Sequence, residues 1–241
     1  MYDIKKKMNI KIYADGADIN SIKLLNSDDL IKGFTTNPTL MNQANISDYK
    51  EFAQMVLKFV KTKPISFEVF EDDLDLMYAQ AKEIHSWGEN INIKIPIQNT
   101  KSKYCHHLIK TLCDEGIHCN VTAIFTNNQI DKILNIIDRE SKIILSVFAG
   151  RIADTGIDPV PVIKTAVKNS LNFTNAEILW ASPREPLNII QAENTGCHII
   201  TLTPTLIKKM KNFGKDLEQF SLETVKMFYD DAKSSRFNIK I

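Results

Sequence analysis

In the run NINIKIPI (90–97), Lys94 interrupts residues that otherwise alternate toward apolar surroundings. Desolvation disfavours an ammonium, and a neutral amine can attack a ketone carbonyl and form a Schiff base. Two other readings compete: a side chain that snorkels outward beneath covering helices, or one that pairs with a carboxylate. An iminium also needs a carboxylate to move protons during carbon–carbon cleavage, and a second group to shuttle protons as the carbinolamine dehydrates. Asp15 and Glu68 are candidates, each of which could instead be a cap or an ion-pair partner. Arg151 and Arg184, with Ser182, suit a phosphate because guanidinium forks bind its oxygens bidentately, although either arginine alone reads as surface charge. Thr35, Thr36, Asn37, Asn120, Thr122, Ser146 and Phe148 complete the polar set. An Asp, a Glu, a Lys and a two-arginine anion clamp describe aldol chemistry on a phosphosugar.

These residues act together only if the fold gathers them. Apolar, β-rich runs recur at NIKIYAD (9–15), GFTTN (33–37), ISFEVF (65–70), NINIKIPI (90–97), CNVTAIF (119–125), KIILSVFAG (142–150), EILWAS (177–182) and HIITLTP (198–204). Helical apolar spacing lies between them: Phe52, Met55, Val56 and Phe59; Leu74, Met77, Ala81 and Ile84; Ile130, Ile133, Leu134 and Ile137. Thr126 and Asp158 are expected N-caps, with Pro159 at a first helical position and Pro183 placed in the same way after Ser182. Eight strand–helix units without a composition break predict an α/β fold, a single-domain (β/α)8 TIM barrel over 1–241. The alternative is an open doubly wound sheet. In a barrel the chemistry lies at the C-terminal strand ends, which is where the residues above fall. Residues 1–8 read as an N-terminal extension. Residues 215–235 read as a surplus C-terminal helix, with Leu217, Phe220, Leu222, Val225 and Phe228 apolar, that wraps its own barrel or docks on a neighbouring subunit.

The 241 residues carry 30 Lys and Arg against 29 Asp and Glu, and 44% are hydrophobic. That balance provides no global field for nucleic acid or an anionic membrane. No apolar run approaches the roughly 18 to 20 residues of a membrane span, and the first residues lack a signal peptide's apolar region, so a cytoplasmic location is expected. Cys105, Cys113, Cys119 and Cys197 form no CxxC pair; Cys105-His106-His107 and His118-Cys119 match no common zinc motif. No glycines stand at dinucleotide or P-loop spacing.

The segments YADGAD (13–18), GFTTNPTL (33–40), IKIP (93–96), GIHCNVTAIF (116–125), SVFAGRIAD (146–154), ASPRE (181–185) and GCHIITLTPTLI (196–207), in that order, resemble the small transaldolase and fructose-6-phosphate aldolase family of class I Schiff-base enzymes. The resemblance implies that Lys94 attacks the C2 ketone of a ketose phosphate and that Asp15 transfers the proton of the retro-aldol step. It implies that Glu68 with Thr122 positions the water of imine formation and release, and that Asn37 and Asn120 bond substrate hydroxyls. Ser182, Arg151 and Arg184 resemble phosphate contacts, while Ser146 and Phe148 would line the pocket beside Thr35, Thr36 and a bulky Trp180. Glu68 and Phe148 resemble the transaldolase pattern, where glutamine and tyrosine would resemble the aldolase one that releases dihydroxyacetone. Gly16-Ala17 after Asp15, Pro183 between Ser182 and Arg184, and the bulk of Trp180 on the seventh strand depart from the usual pattern, which leaves the sugar open. The resemblance further implies sugar-phosphate substrates, no metal or organic cofactor, and a homo-oligomer in which a C-terminal helix packs on a neighbour, in some members as a ring. A barrel that binds a phosphosugar without turnover is the reading from outside enzymology.

Overall fold

The structure, a computed structural model, describes residues 8–235 together with 237 and 239. The expected extension therefore lies, apart from Met8, outside the described residues. Asn9–Lys208 forms one compact unit, and residues from Lys209 onward belong to a second.

In the first unit the elements run β1 (Lys11–Asp15), α1 (Ile19–Asn26), β2 (Ile31–Thr35), α2 (Pro38–Gln43), α3 (Tyr49–Leu57), β3 (Ile65–Glu68), α4 (Leu74–His85) and β4 (Ile91–Pro96). They continue as α5 (His106–Asp114), β5 (Cys119–Ile124), α6 (Asn127–Leu134), β6 (Ile143–Val147), α7 (Ala149–Asp154), α8 (Val160–Ser170), β7 (Ala176–Trp180), α9 (Leu187–Asn194), β8 (Ile199–Leu202) and α10 (Pro204–Lys209). Every strand pairs parallel with its sequence neighbours and β1 closes on β8, giving a (β/α)8 TIM barrel. The open-sheet alternative is excluded by that closure.

Side chains two residues apart share a face, so each strand supplies an inward and an outward set. Ile12, Ile93, Leu145 and Ile178 are outward and buried beneath the helices. The inward set is polar at both ends and apolar between them. Tyr13, Ile144, Leu179, Ala181 and Ile199 form the central plug, and Phe148 packs against it. A Cβ on Gly33 would lie 2.6 Å from the Tyr13 ring, so only glycine leaves room for that ring on the neighbouring strand.

The strand ends explain where the chain turns. β2 stops at Thr35, two residues earlier than GFTTN suggests, because Asn37 caps α2 by accepting the Leu40 amide at 3.0 Å and Pro38 occupies its first turn. Thr126 caps α6 in a reciprocal box with Gln129. Two cap expectations need correction. Asp158 accepts the Val160 amide at 2.9 Å, but α8 begins at Val160, leaving Pro159 as the residue before the helix. Pro183 opens no helix: Ser182 stands at φ 58°, and α9 begins only at Leu187, after Pro186.

In the second unit, α11 (Leu217–Ser234) matches the surplus helix read from the sequence. Asp216 caps it through the Gln219 amide, and Lys215 pairs with Glu223. None of its side chains is buried, and Leu217, Val225 and Phe228 are well exposed. No helix among the described residues is long and apolar enough to cross a membrane.

Candidate active site

The C-terminal mouth of the barrel encloses a cavity of about 470 Å³. Its walls include Asp15, Thr35, Asn37, Glu68, Lys94, Asn120, Thr122, Ser146, Phe148, Arg151, Ser182 and Arg184, twelve of the fourteen residues singled out in the sequence. They converge because each stands at an inward position near the end of its strand, or in the loop that follows.

Lys94 is 7% exposed and faces the barrel axis. Its Nζ lies 2.8 Å from Glu68 Oε2, its cross-strand neighbour on β3, and donates to the Thr36 carbonyl at 3.0 Å. The amine thus points into the cavity and is paired with a carboxylate, as one of the competing readings had it, and it does not snorkel outward. On the far side of β3, the Tyr49 hydroxyl accepts the Glu68 amide at 2.7 Å and donates to the Glu68 carbonyl at 3.0 Å. That clamp holds the backbone from which the carboxylate projects.

Asp15 lies opposite Thr35 in the β1–β2 register. Thr35 Oγ1 donates to Asp15 Oδ1 at 2.8 Å and stands 2.5 Å from Thr201 Oγ1. A hydroxyl has one proton, so Thr201 donates to Thr35 and orients it toward the carboxylate. Burial raises the Asp15 carboxyl above the usual aspartate range, against the opposing pull of the Lys94 charge and the Thr35 hydrogen bond. Thr201 was missed by sequence reading. Its signal was a hydroxyl inside HIITLTP, at the inward parity set by Ile199.

Asn120 is held at both ends of its amide, donating to Ser66 Oγ at 3.0 Å and accepting from Ser146 Oγ at 2.6 Å. One N–H remains for a ligand, whereas the Ser146 proton is already committed. The β5–β6 register shifts between Val121 and Ile124, and Ala123 has φ 58°; this bulge turns the end of the strand beside Thr122. Thr122 Oγ1 is buried without a partner among the described residues. Asn37 spends its oxygen on capping α2, which leaves its amide N–H groups for the cavity.

At the rim, Arg184 forms a fork with Asp154, its Nε 3.0 Å from Oδ1 and its Nη2 on Oδ2. That contact holds the Asp154 carboxyl below its usual range. Arg151 has no ion-pair partner among the described residues. A Cβ on Gly150 would fall 1.5 Å from the Ser182 carbonyl, so glycine is required for α7 to approach the Ser182 loop. Ser182 holds a left-handed backbone, which costs a non-glycine residue energy and is typical of a site that needs a fixed geometry.

Two expected pocket residues are not part of the wall. Trp180 is fully buried on the outward face of β7, because the inward positions there are Leu179 and Ala181. The Thr36 side chain is likewise buried off the cavity, and only its carbonyl contributes, through Lys94. All four cysteines are free thiols, and among the described residues no three His, Cys, Asp or Glu side chains are grouped to hold a metal ion.

Residues 12–240 match the family described as Transaldolase/Fructose-6-phosphate aldolase. A protein of Nitrosopumilus maritimus described as "Probable transaldolase" is 31% identical over 234 residues, covering 96% of this chain and all of that protein. One of the same description from Thermoanaerobacter sp. is 33% identical, over 83% of this chain and 89% of its own. Among solved structures, a putative lyase/mutase from Burkholderia cenocepacia superposes with a TM-score of 0.61 at 11% identity, covering 87% of this chain and 86% of that one, which reflects the shared fold alone.

Proposed function

The chain belongs to the transaldolase/fructose-6-phosphate aldolase family, and from that premise we propose that it transfers a dihydroxyacetone unit from a ketose phosphate to an aldose phosphate through a Schiff base on Lys94. The observation that carries this reading is a buried amine aimed into a cavity that it shares with two carboxylates, Glu68 at 2.8 Å and Asp15.

In the resting site Lys94 is ion-paired with Glu68. When the ketone enters, Glu68 accepts the ammonium proton, and the free amine attacks C2. The carbinolamine loses water, for which Glu68 returns the proton with Thr122 beside the departing oxygen. Asp15, as carboxylate, then takes the proton of the C4 hydroxyl; the C3–C4 bond breaks and its electron pair enters the iminium to form the enamine. The aldose phosphate leaves. An acceptor aldehyde reverses these steps. Arg151, Arg184 and Ser182 hold the phosphate at the rim, with Asn37 and Asn120 on the sugar hydroxyls. Phe148 offers no proton to the enamine, which favours transfer over release.

The exposed apolar side chains of α11 support a homo-oligomer in which that helix is covered by a second copy. The family match runs from the barrel into this segment, which supports reading 1–241 as one domain. The deciding assay supplies fructose 6-phosphate with and without erythrose 4-phosphate, on wild type and Lys94→Ala. Acceptor-dependent glyceraldehyde 3-phosphate, lost in the variant, and a borohydride-trapped adduct on Lys94 are expected. Free dihydroxyacetone at an undiminished rate without acceptor would instead assign the aldolase reaction, and absence of any adduct would sink the covalent mechanism.

A further inference from the structure

The other end of the barrel holds a second cavity, of about 580 Å³, that the proposed reaction does not use. Its size is within the roughly 300 to 1,000 Å³ of small-molecule sites. The apolar plug stands between the two: Tyr13 and Ile144 line the lower cavity, Leu179 and Ala181 the upper one.

The lower cavity is graded from charged at its rim to neutral in its depth. Lys11 and Lys142 are exposed residues at strand entries. Lys11 is paired with Glu177 at 2.8 Å, whereas Lys142 has no carboxylate partner among the described residues. Two lysines against one glutamate leave the rim positive. Deeper, Asn92 is 6% exposed and the Tyr13 residue 3%, and neither side chain has a hydrogen-bond partner among the described residues. Burial, with the Glu177 charge added, keeps the Tyr13 phenol protonated far beyond its usual range, so it is a donor. His198 Nδ1 accepts the Ile178 amide at 2.9 Å, which places the ring's proton on Nε2. The Asn92 and Tyr13 side chains line the cavity and bond no described residue, so their polar groups are free to meet the oxygens of a ligand there.

We propose that this N-terminal mouth is a second binding site, for a small phosphate monoester, with the phosphate at the rim on Lys11, Lys142 and His198 and a polar tail on Asn92 and the Tyr13 hydroxyl. An anion answers the excess of cationic groups at the entrance. A tail with oxygens answers the neutral groups within, which could not stabilise a second charge there. This site does not depend on the reaction assigned above.

The test is calorimetric titration of the full chain with two probes, glycerol 3-phosphate and inorganic phosphate. Lys142→Glu, at an exposed position that leaves the fold intact, should weaken one class of glycerol 3-phosphate sites by about tenfold or more, and Lys142→Arg should restore it. The effect should persist in an Arg184→Ala background, where the upper rim is disabled. Asn92→Leu should weaken glycerol 3-phosphate and spare inorganic phosphate. Binding that vanishes with Arg184→Ala, or that ignores Lys142→Glu, would overturn the site. Equal weakening of both probes by Asn92→Leu would overturn the placement of the tail. None of these outcomes depends on whether the chain turns over fructose 6-phosphate.

Discussion

Two lysines of this barrel make the same contact with opposite consequences. Lys94 and Lys11 each approach a glutamate of another strand to 2.8 Å, Glu68 at the C-terminal mouth and Glu177 at the N-terminal one. The side chains of the first pair are 9% and 17% exposed, and those of the second 49% and 28%. In the drier pair water competes less, so each charge sets the chemistry of the other more strongly. In the wet pair water competes throughout, and the lysine stays available to an incoming anion. Ion-pair geometry alone does not separate a reaction centre from a recognition surface; solvation does.

The largest expected effect follows from the dry lysine. Lys94→Ala should lower transfer by about 10⁴-fold or more, and Lys94→Arg should not rescue it, because a guanidinium forms no Schiff base. Activity in Lys94→Arg would place the chemistry elsewhere. Next, Asp15→Asn should lower turnover by about 10² to 10⁴-fold. The same variant should be the more stable protein at neutral pH. The folded carboxyl holds its proton above the ordinary aspartate range, so its contribution to stability is present at low pH and is lost as pH rises through that raised value. Urea midpoints across pH would show wild type losing ground to Asp15→Asn over that window; equal midpoints would contradict the burial argument.

The two ion pairs can be compared directly by truncation. Glu68→Ala leaves a buried ammonium and should cost about 3 kcal/mol, whereas Glu177→Ala should cost about 0 to 1 kcal/mol. Similar urea midpoints for the two variants would break the comparison. The smallest change concerns the hydroxyl chain at Asp15. Thr201→Val removes the proton donated to Thr35 and loosens the bond that Thr35 makes to Asp15, so the acid limb of kcat/KM should move to higher pH with a few-fold loss of rate. Thr201→Ser should restore both. A purely packing role for Thr201 would leave the limb in place.

Most of the upper site could be read in the sequence because its residues break local patterns. Lys94 stands in an isoleucine-rich run, and Asp15, Glu68 and Asn120 each interrupt or end an apolar strand. Once eight strands are recognised, the closed barrel sends such residues to one mouth. Trp180 and Thr36 were misjudged for a common reason. They are next to inward residues, and a one-residue difference in parity turns a side chain from the cavity to the helix layer. Thr201 was passed over because a threonine in a strand is ordinary until its partner is known.

The lower mouth was not legible at all. Lys11, Asn92, Lys142 and His198 come from four strand entries and share no motif, and each is unremarkable in its own segment. Their common cavity exists only because the sheet closes and the Tyr13 ring, admitted by Gly33, blocks the axis above them. Periodicity and composition are local properties, so the chain alone was enough to locate the repeated strand–helix units, the barrel they form and the polar residues at its C-terminal mouth. Tertiary structure decided the dryness of one lysine pair and the wetness of the other, the orientation of Thr35 by Thr201, and the second cavity, since burial and cross-strand contact exist only after closure.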